Sequence, residues 1–284
     1  MRYEWVSRPD EAALSLLEFL QKRLQGKGYS MRKIKGWIDA GYCFVKGRQE
    51  RFARTAVGAN SKVLLRVPVK EKREIAFLFE DEAILILDKP AGISCDARLE
   101  AELAKLKKAS FLVHRLDKET TGLLLCAKTQ KVKDYFIEEF REQRVQKRYV
   151  AIVDGNLAEE SGSIENYIGP TSRYEGHVKW GKVMQGGHFA HTLWRVLKKA
   201  KSANLVELFP KTGRTHQLRV HTSQMGHPIL GDHTYAKSFR CSYHVPRVML
   251  HAEGLAFSHP VTGKIMEFHA PLPNDFLACL KELF

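Results

Sequence analysis

Short apolar runs set the limits on what this chain can fold into. IAFLFEDEAILILDKPAGISC (residues 75 to 95) reads as two strands that break at Pro90 and Gly92, and GLLLCA (122 to 127), RYVAIVDG (148 to 155), NLVELFP (204 to 210) and GLAFSHP (254 to 260) follow. Each is strand length, and polar or turn-forming residues interrupt them. Helical spacing is clear in RLEAELAKLKK and in QKVKDYFIEEFREQ, where Val132, Tyr135, Phe136, Glu139 and Phe140 recur at helical intervals. Strands and helices without regular βαβ alternation predict an α+β domain, built on a mixed, largely antiparallel sheet, over residues 75–284.

The first 70 residues read as a separate small α/β module. Residues 1 to 75 hold 17 Lys or Arg against 8 Asp or Glu, a net +9 of the chain's +14. DEAALSLLEFLQKRL places Leu17, Leu20 and Leu24 at helical spacing. Ser30 is an N-cap candidate for MRKIKGWIDAG, where Ile34, Trp37 and Ile38 share a face and Gly41 supplies the stop. Arg32, Lys33 and Lys35 then point away from that face. YCFVKG and KVLLRVP read as strands, and the charged VKEKRE as a linker.

A net charge of +14 and a pI near 9.5 favour a polyanionic partner, nucleic acid before membrane, since no basic amphipathic anchor is evident. The N-terminal residues lack a secretory apolar core and no run is long enough to span a bilayer, so a cytoplasmic protein without membrane contact is expected, by default a monomer. Five scattered cysteines suit reduced core thiols. No metal or cofactor is expected: there is no CxxC or HExxH, Cys241 and His244 stand as an isolated couple, and no GxGxxG opens a helix. GHVKWGKV (176 to 183) nearly spells a phosphate loop, but Val183 stands where a hydroxyl is needed, so it reads as an ordinary loop.

Two polar, glycine-bearing segments are the candidates for chemistry. HRLDKETTG (114 to 122) sets Asp117 close to Arg115 and leads into an apolar strand, while PKTGRTHQLRVH (210 to 221) reads as a turn packed with Arg214, His216, Arg219 and His221. Such turns at strand ends aim charged side chains while the sheet holds them rigid. Between them Tyr149 follows Lys147 and Arg148, an aromatic flanked by cations that can stack on a base.

HRLDKETTGLLLCAKT, KRYVAIVDG, GRTHQLRVH and GHPILGDHTY, with ILDKPAGI upstream, resemble in order the motifs of the RluA-type RNA pseudouridine synthases; Thr121 stands where that family usually has Ser. The N-terminal module resembles the S4 RNA-binding domain, with AGYCFVKGR for its strand-turn motif, although LSLLEFL and GANSK depart from its opening and closing patterns. The resemblance implies a cofactor-free isomerisation of uridine in RNA, with ribosomal RNA of the large subunit favoured over transfer RNA. It implies Asp117 as the catalytic carboxylate, Arg214 as the cation paired with it, and Tyr149 as the ring that stacks on uracil. Arg115 would fill the space left by the flipped base and Leu218 would form the opposite wall. His114 and His216 join the substrate-binding set, with a loop-holding role favoured for each. Arg32, Lys33 and Lys35 would meet RNA.

A non-catalytic RNA-binding or ribosome-assembly factor is the rival from another class; the joint presence of Asp117, Tyr149 and Arg214 favours the enzyme. A nucleobase deaminase would need a His-x-Glu and Pro-Cys-x-x-Cys zinc set, which the sequence lacks.

Overall fold

Ser15 decides where the first helix begins. Its side chain accepts the amide of Glu18, whose carboxylate accepts the amide of Ser15, a reciprocal cap that starts α1 (Leu16–Arg23) at Leu16 and excludes the DEAA segment from it. In this computed structural model of the chain, all residues are described except 1, 40, 51, 68–73, 109, 175–176 and 237. The chain divides into two compact units, Met1–Lys72 and Arg73–Phe284.

In the first unit, β1 (Arg2–Val6) precedes α1, and α2 (Met31–Asp39), β2 (Cys43–Val45), β3 (Arg48–Glu50) and β4 (Lys62–Arg66) follow it. The strands form an antiparallel sheet in the order β1-β4-β2-β3. Ile34, Trp37 and Ile38 of α2 are buried together with Leu16, Phe19 and Leu20 of α1. Gly41 ends the second helix with φ +78°, and its amide donates to the carbonyl of Ile38. Strand β3, with the sequence RQE, has no apolar residue to make it legible in the sequence. Of the VKEKRE segment only Glu74 lies within the described residues.

The second unit runs β5 (Ala76–Glu80), β6 (Ile84–Lys89), α3 (Ala97–Lys105), β7 (Phe111–Leu112), β8 (Thr121–Ala127), α4 (Gln130–Arg141), β9 (Gln146–Asp154), β10 (Ser161–Tyr174), β11 (His177–Lys182), β12 (His188–Lys199), β13 (Ala203–Pro210), α5 (Gln217–Gln224), β14 (Leu250–Ser258), β15 (Ile265–His269) and α6 (Asn274–Leu283). Its sheet follows the order β11-β10-β12-β13-β9-β14-β8-β6-β5, with β15 added on β14 and β7 on β8. Among the described pairings only β14 with β8 is parallel, so the α+β architecture with a mixed, largely antiparallel sheet holds. One core cluster joins α3, β9, β13, α5 and α6, and a second joins β6, β8 and α4.

Two segments differ from their sequence reading. GHVKWGKV is not a loop: His177–Lys182 is strand β11, paired antiparallel with β10, because the polar, alternating β10 offers it an edge that apolar content alone does not reveal. PKTGRTHQLRVH is a turn only up to His216; from Gln217 it is helix α5, so Arg219 and His221 are helical residues.

The parallel seam explains the glycine of HRLDKETTG. Gly122 has φ +108°, and a Cβ there would collide with the carbonyl of Ala252 on β14. Thr121, just before it, donates its hydroxyl to Nδ1 of His251 at 2.8 Å, and His251 Nε2 donates to the carbonyl of Ala270. A hydroxyl is what the buried imidazole needs, so Thr in place of Ser keeps the contact.

Candidate active site

The loop that carries Asp117 is fixed from beneath by a buried ammonium. Lys89, fully buried at the end of β6, donates to the carbonyls of Pro90 and Ile93 at 3.1 Å each and of Lys118 at 3.4 Å. Burial pushes its pKa down to about 8, against the opposing pull of Cys95, Glu119 and Asp117. The amide of Gly92 also donates to Lys118 O, the amide of Leu116 to Cys95 Sγ, and that of Thr120 to Asp117 O. His114 closes the other side. Its Nε2 accepts the amide of Leu125 at 2.9 Å and its ring lies on Phe140. Burial holds His114 down at about 3, with Lys147 adding to the effect, so the ring is neutral with its proton on Nδ1.

The second segment is pegged by Gln217. This buried side chain accepts the Thr212 hydroxyl at 2.7 Å and the Arg214 amide at 3.0 Å, and donates to His191 O and Thr192 Oγ1. With all four bonding positions filled, the turn before α5 has one shape.

That shape sends Arg219 inward. Its Nη1 lies 3.2 Å from Asp117 Oδ2, while Nε and Nη2 bind Asp232 bidentately at 2.6 and 2.9 Å. Asp232 is 1% exposed and the Asp117 side chain 25% exposed. One guanidinium therefore bridges a buried carboxylate and a partly open one. Burial works against the charge on Arg219, but the bonds and charges of Asp232 and Asp117 outweigh it and raise the pKa.

Arg214, expected by resemblance to pair with Asp117, is placed elsewhere. It is exposed and its Nε donates to the carbonyl of Phe189 at 2.8 Å. The correction has a physical reason: Arg214 precedes the Gln217 peg, where the chain still runs beside β12, whereas Arg219 lies on the inward face of α5. Arg115 is exposed and makes no ion pair among the described residues, so the adjacent Arg115 and Asp117 are not partners.

Tyr149 on β9 is buried beside this pair. Burial raises its hydroxyl pKa, and the charge of Asp117 raises it further. Leu116, Tyr149 and Leu218 belong to one apolar cluster. His216, at the start of α5 with φ +55°, places Nε2 4.0 Å from Asp117 Oδ1. The structure thus brings together Asp117, His216, Tyr149 and Leu218, and leaves His114 behind the loop. Arg219 carried a signal in the sequence, as the second arginine of its motif. Asp232 and Lys89 also lay within quoted motifs, in GDHTY and DKP, but with no role attached. Cys241 is buried in the core with its amide on Asp154, and no cluster of three or more His, Cys, Asp or Glu suited to a metal occurs among the described residues.

Besides His114, two more buried histidines tie the site's stability to pH. His221 bonds Thr192 Oγ1 and Asn166 Oδ1, and burial lowers both it and His251 to about 4 from an ordinary 6.5. Below pH 6.5 the unfolded chain takes up protons that the folded chain refuses, so stability present above 6.5 is lost as pH falls toward 4. Each histidine should cost about 2 kcal/mol by pH 5. The expected result is a thermal midpoint that falls clearly between pH 7 and pH 5; a flat midpoint would contradict the assignment.

The RNA pseudouridylate synthase family profile matches residues 83–224. The chain is 31% identical to ribosomal large subunit pseudouridine synthase D of Nitrosomonas europaea, over 90% of this chain and 80% of that protein. It is 32% identical to ribosomal large subunit pseudouridine synthase C of Escherichia coli (strain K12), over 96% of this chain and 94% of that one. Among solved structures, human RNA pseudouridylate synthase domain containing 1 superposes with a TM-score of 0.64 at 28% identity, covering 75% of this chain and 90% of its own. The family match takes in both the Asp117 loop and the α5 helix that supplies Arg219, and with relatives matched along most of their length the chain belongs to the RNA pseudouridylate synthase family.

Proposed function

We propose that this protein converts one or more uridines of large-subunit ribosomal RNA to pseudouridine, with Asp117 as the catalytic carboxylate. The observation that carries the reading is the partly open Asp117 carboxylate held at 3.2 Å by Arg219, whose own charge is secured by Asp232. In the reaction the N1–C1′ bond breaks, a C5–C1′ bond forms, the C5 proton leaves and N1 gains one, so no atom is added overall. Asp117 starts the cleavage, as a nucleophile or a base. A stacked uridine hides its reacting atoms and must be turned out of the helix, at a cost of a few kcal/mol. Arg115, exposed and without a carboxylate partner among the described residues, is suited to fill the vacated space. Tyr149 stacks on the uracil and Leu218 closes the opposite side. Arg214 is exposed to meet a phosphate.

The relatives named above carry large-subunit ribosomal names, which supports that RNA as substrate. In the described residues no helix is long and apolar enough to cross a membrane. The mapping experiment is carbodiimide-dependent reverse-transcription stops on total RNA from cells with and without the gene. Loss of one or a few stops in large-subunit RNA is the expected result. Loss only in transfer RNA would reassign the substrate, and no loss would favour the RNA-binding rival.

We read Met1–Lys72 as an S4-like RNA-binding module. The outer face of α2 is cationic: Arg32, Lys33 and Lys35 are exposed, Lys33 Nζ lies 4.9 Å from the Tyr29 ring centre, and Lys35 pairs with Asp39. Replacing all three by Glu in the full chain should reduce the slope of log affinity against log salt by roughly 2, since each phosphate contact contributes about 0.7 to 0.9. An unchanged slope would remove this face from the RNA interface.

A further inference from the structure

We propose that Tyr235 is a positioning residue that fixes the tautomer of His216, so that the imidazole presents Nε2–H, not a lone pair, to the Asp117 carboxylate. The inference rests on the reading of Asp117 as the catalytic carboxylate, and extends it to two side chains that the resemblance leaves without a chemical role.

The geometry is a short chain of polar groups. His216 Nδ1 and the Tyr235 hydroxyl are 2.8 Å apart, and their rings meet edge to face. The same hydroxyl accepts the backbone N–H of Trp180 on β11 at 3.3 Å. On the far side of the ring, His216 Nε2 lies 4.0 Å from Asp117 Oδ1. The charged groups acting on His216 are Asp117, Arg219 and Asp232; Arg219 opposes protonation, the two carboxylates favour it, and burial outweighs them to keep the imidazole neutral.

A neutral imidazole carries one N–H, and two arrangements are available. If Nδ1 held the proton it would donate to Tyr235, and the phenolic proton would have no acceptor among the described residues. The Nε2 lone pair would then face a carboxylate. If Nε2 holds the proton, the Tyr235 O–H donates to Nδ1, the Trp180 N–H donates to Tyr235, and Nε2–H points at Asp117. The second arrangement gives the phenolic proton an acceptor and, across the 4.0 Å gap to Asp117, sets an N–H instead of a lone pair toward the carboxylate, so opposite partial charges face each other. His216 sits in the left-handed backbone region at φ +55°, which turns its side chain toward this gap instead of along α5. Strain retained at such a position is consistent with a site that needs the orientation.

The proposed consequence is that His216 donates to Asp117 when the site tightens on RNA, through a proton whose place Tyr235 determines. Because Tyr235 is itself bonded to β11, a shift of the β10–β11 hairpin would be felt at the carboxylate.

The test is long-range proton–nitrogen NMR of the His216 ring in the full chain without RNA, with kinetics alongside. The expected pattern in the unsubstituted protein is a protonated Nε2 and an unprotonated, hydrogen-bonded Nδ1. Tyr235→Phe should move the ring toward an average of the two tautomers and lower kcat about tenfold with KM unchanged, the size of one lost hydrogen bond in the transition state. A protonated Nδ1 in the unsubstituted protein overturns the proposal. So does a Tyr235→Phe variant with the ring pattern and kcat both unaltered. The ring pattern is read with no substrate present, so a chain that isomerises no RNA would defeat the reading of Asp117 and leave the tautomer assignment separately decided.

Discussion

Asp117→Asn is expected to reduce pseudouridine formation by about 10^4-fold or more while leaving RNA affinity within a few-fold. The amide has the shape of the carboxylate and can still accept from Arg219 at 3.2 Å, but it is neither a nucleophile nor a base. Folding should be little affected, because the Arg219–Asp232 pair does not depend on Asp117 and the loop is held by Lys89, Gly92 and His114 through backbone groups. The measurement is tritium release from 5-tritiated uridine in the mapped RNA under single-turnover conditions, with binding followed separately. Substantial residual turnover would take the chemistry away from Asp117.

Arg219→Met is the second large effect, and it acts on stability and activity together. Removing the guanidinium leaves Asp232 charged, buried and without its bidentate partner, a change that costs about 3 to 5 kcal/mol. For a unit of this size the thermal midpoint should fall by roughly 10 °C. Adding Asp232→Asn removes the stranded charge while keeping an acceptor for the Thr234 amide, so most of the stability should return. Activity should not return, because Asp117 still lacks its cation. If the double variant recovered turnover, Arg219 would be a structural residue only. The same logic separates the two arginines of the motif: Arg214 bonds a backbone carbonyl at the surface, so its loss should spare folding.

What the sequence made legible follows from where apolar residues sit. Strands β6, β8 and β9 are nearly continuous apolar runs, buried through most of their length, and α3 and α4 keep helical spacing; all were readable. Strands β10 to β12 were not, since their residues alternate between a modestly buried face and solvent and include many charges. Helix α5 was hidden for another reason. Its inward residues include Gln217, Arg219 and His221, which are buried by pairing and not by hydrophobicity, so polarity suggested a turn. The site shows the same division. Asp117, Tyr149 and Leu218 were legible as motif positions, but the pairing of Asp117 depends on which arginine follows the Gln217 peg. Spacing along a chain does not give that, and the partner Asp232 lies in another motif altogether.

The buried ammonium of Lys89 has a mechanical consequence. It holds carbonyls from Pro90, Ile93 and Lys118 at once, so it ties the segment bearing Asp117 to the segment after β6, and opening the former takes one of three acceptors from a buried charge. Opening of that loop therefore carries the cost of releasing Lys118 O from two donors at once, and the Gly92 amide bonded to it should exchange more slowly than an exposed turn amide. The Asp117 side of the site works as a die, its shape set before the RNA arrives, while the closing of the 4.0 Å gap falls to the His216 side and the unstacking to the nucleic acid.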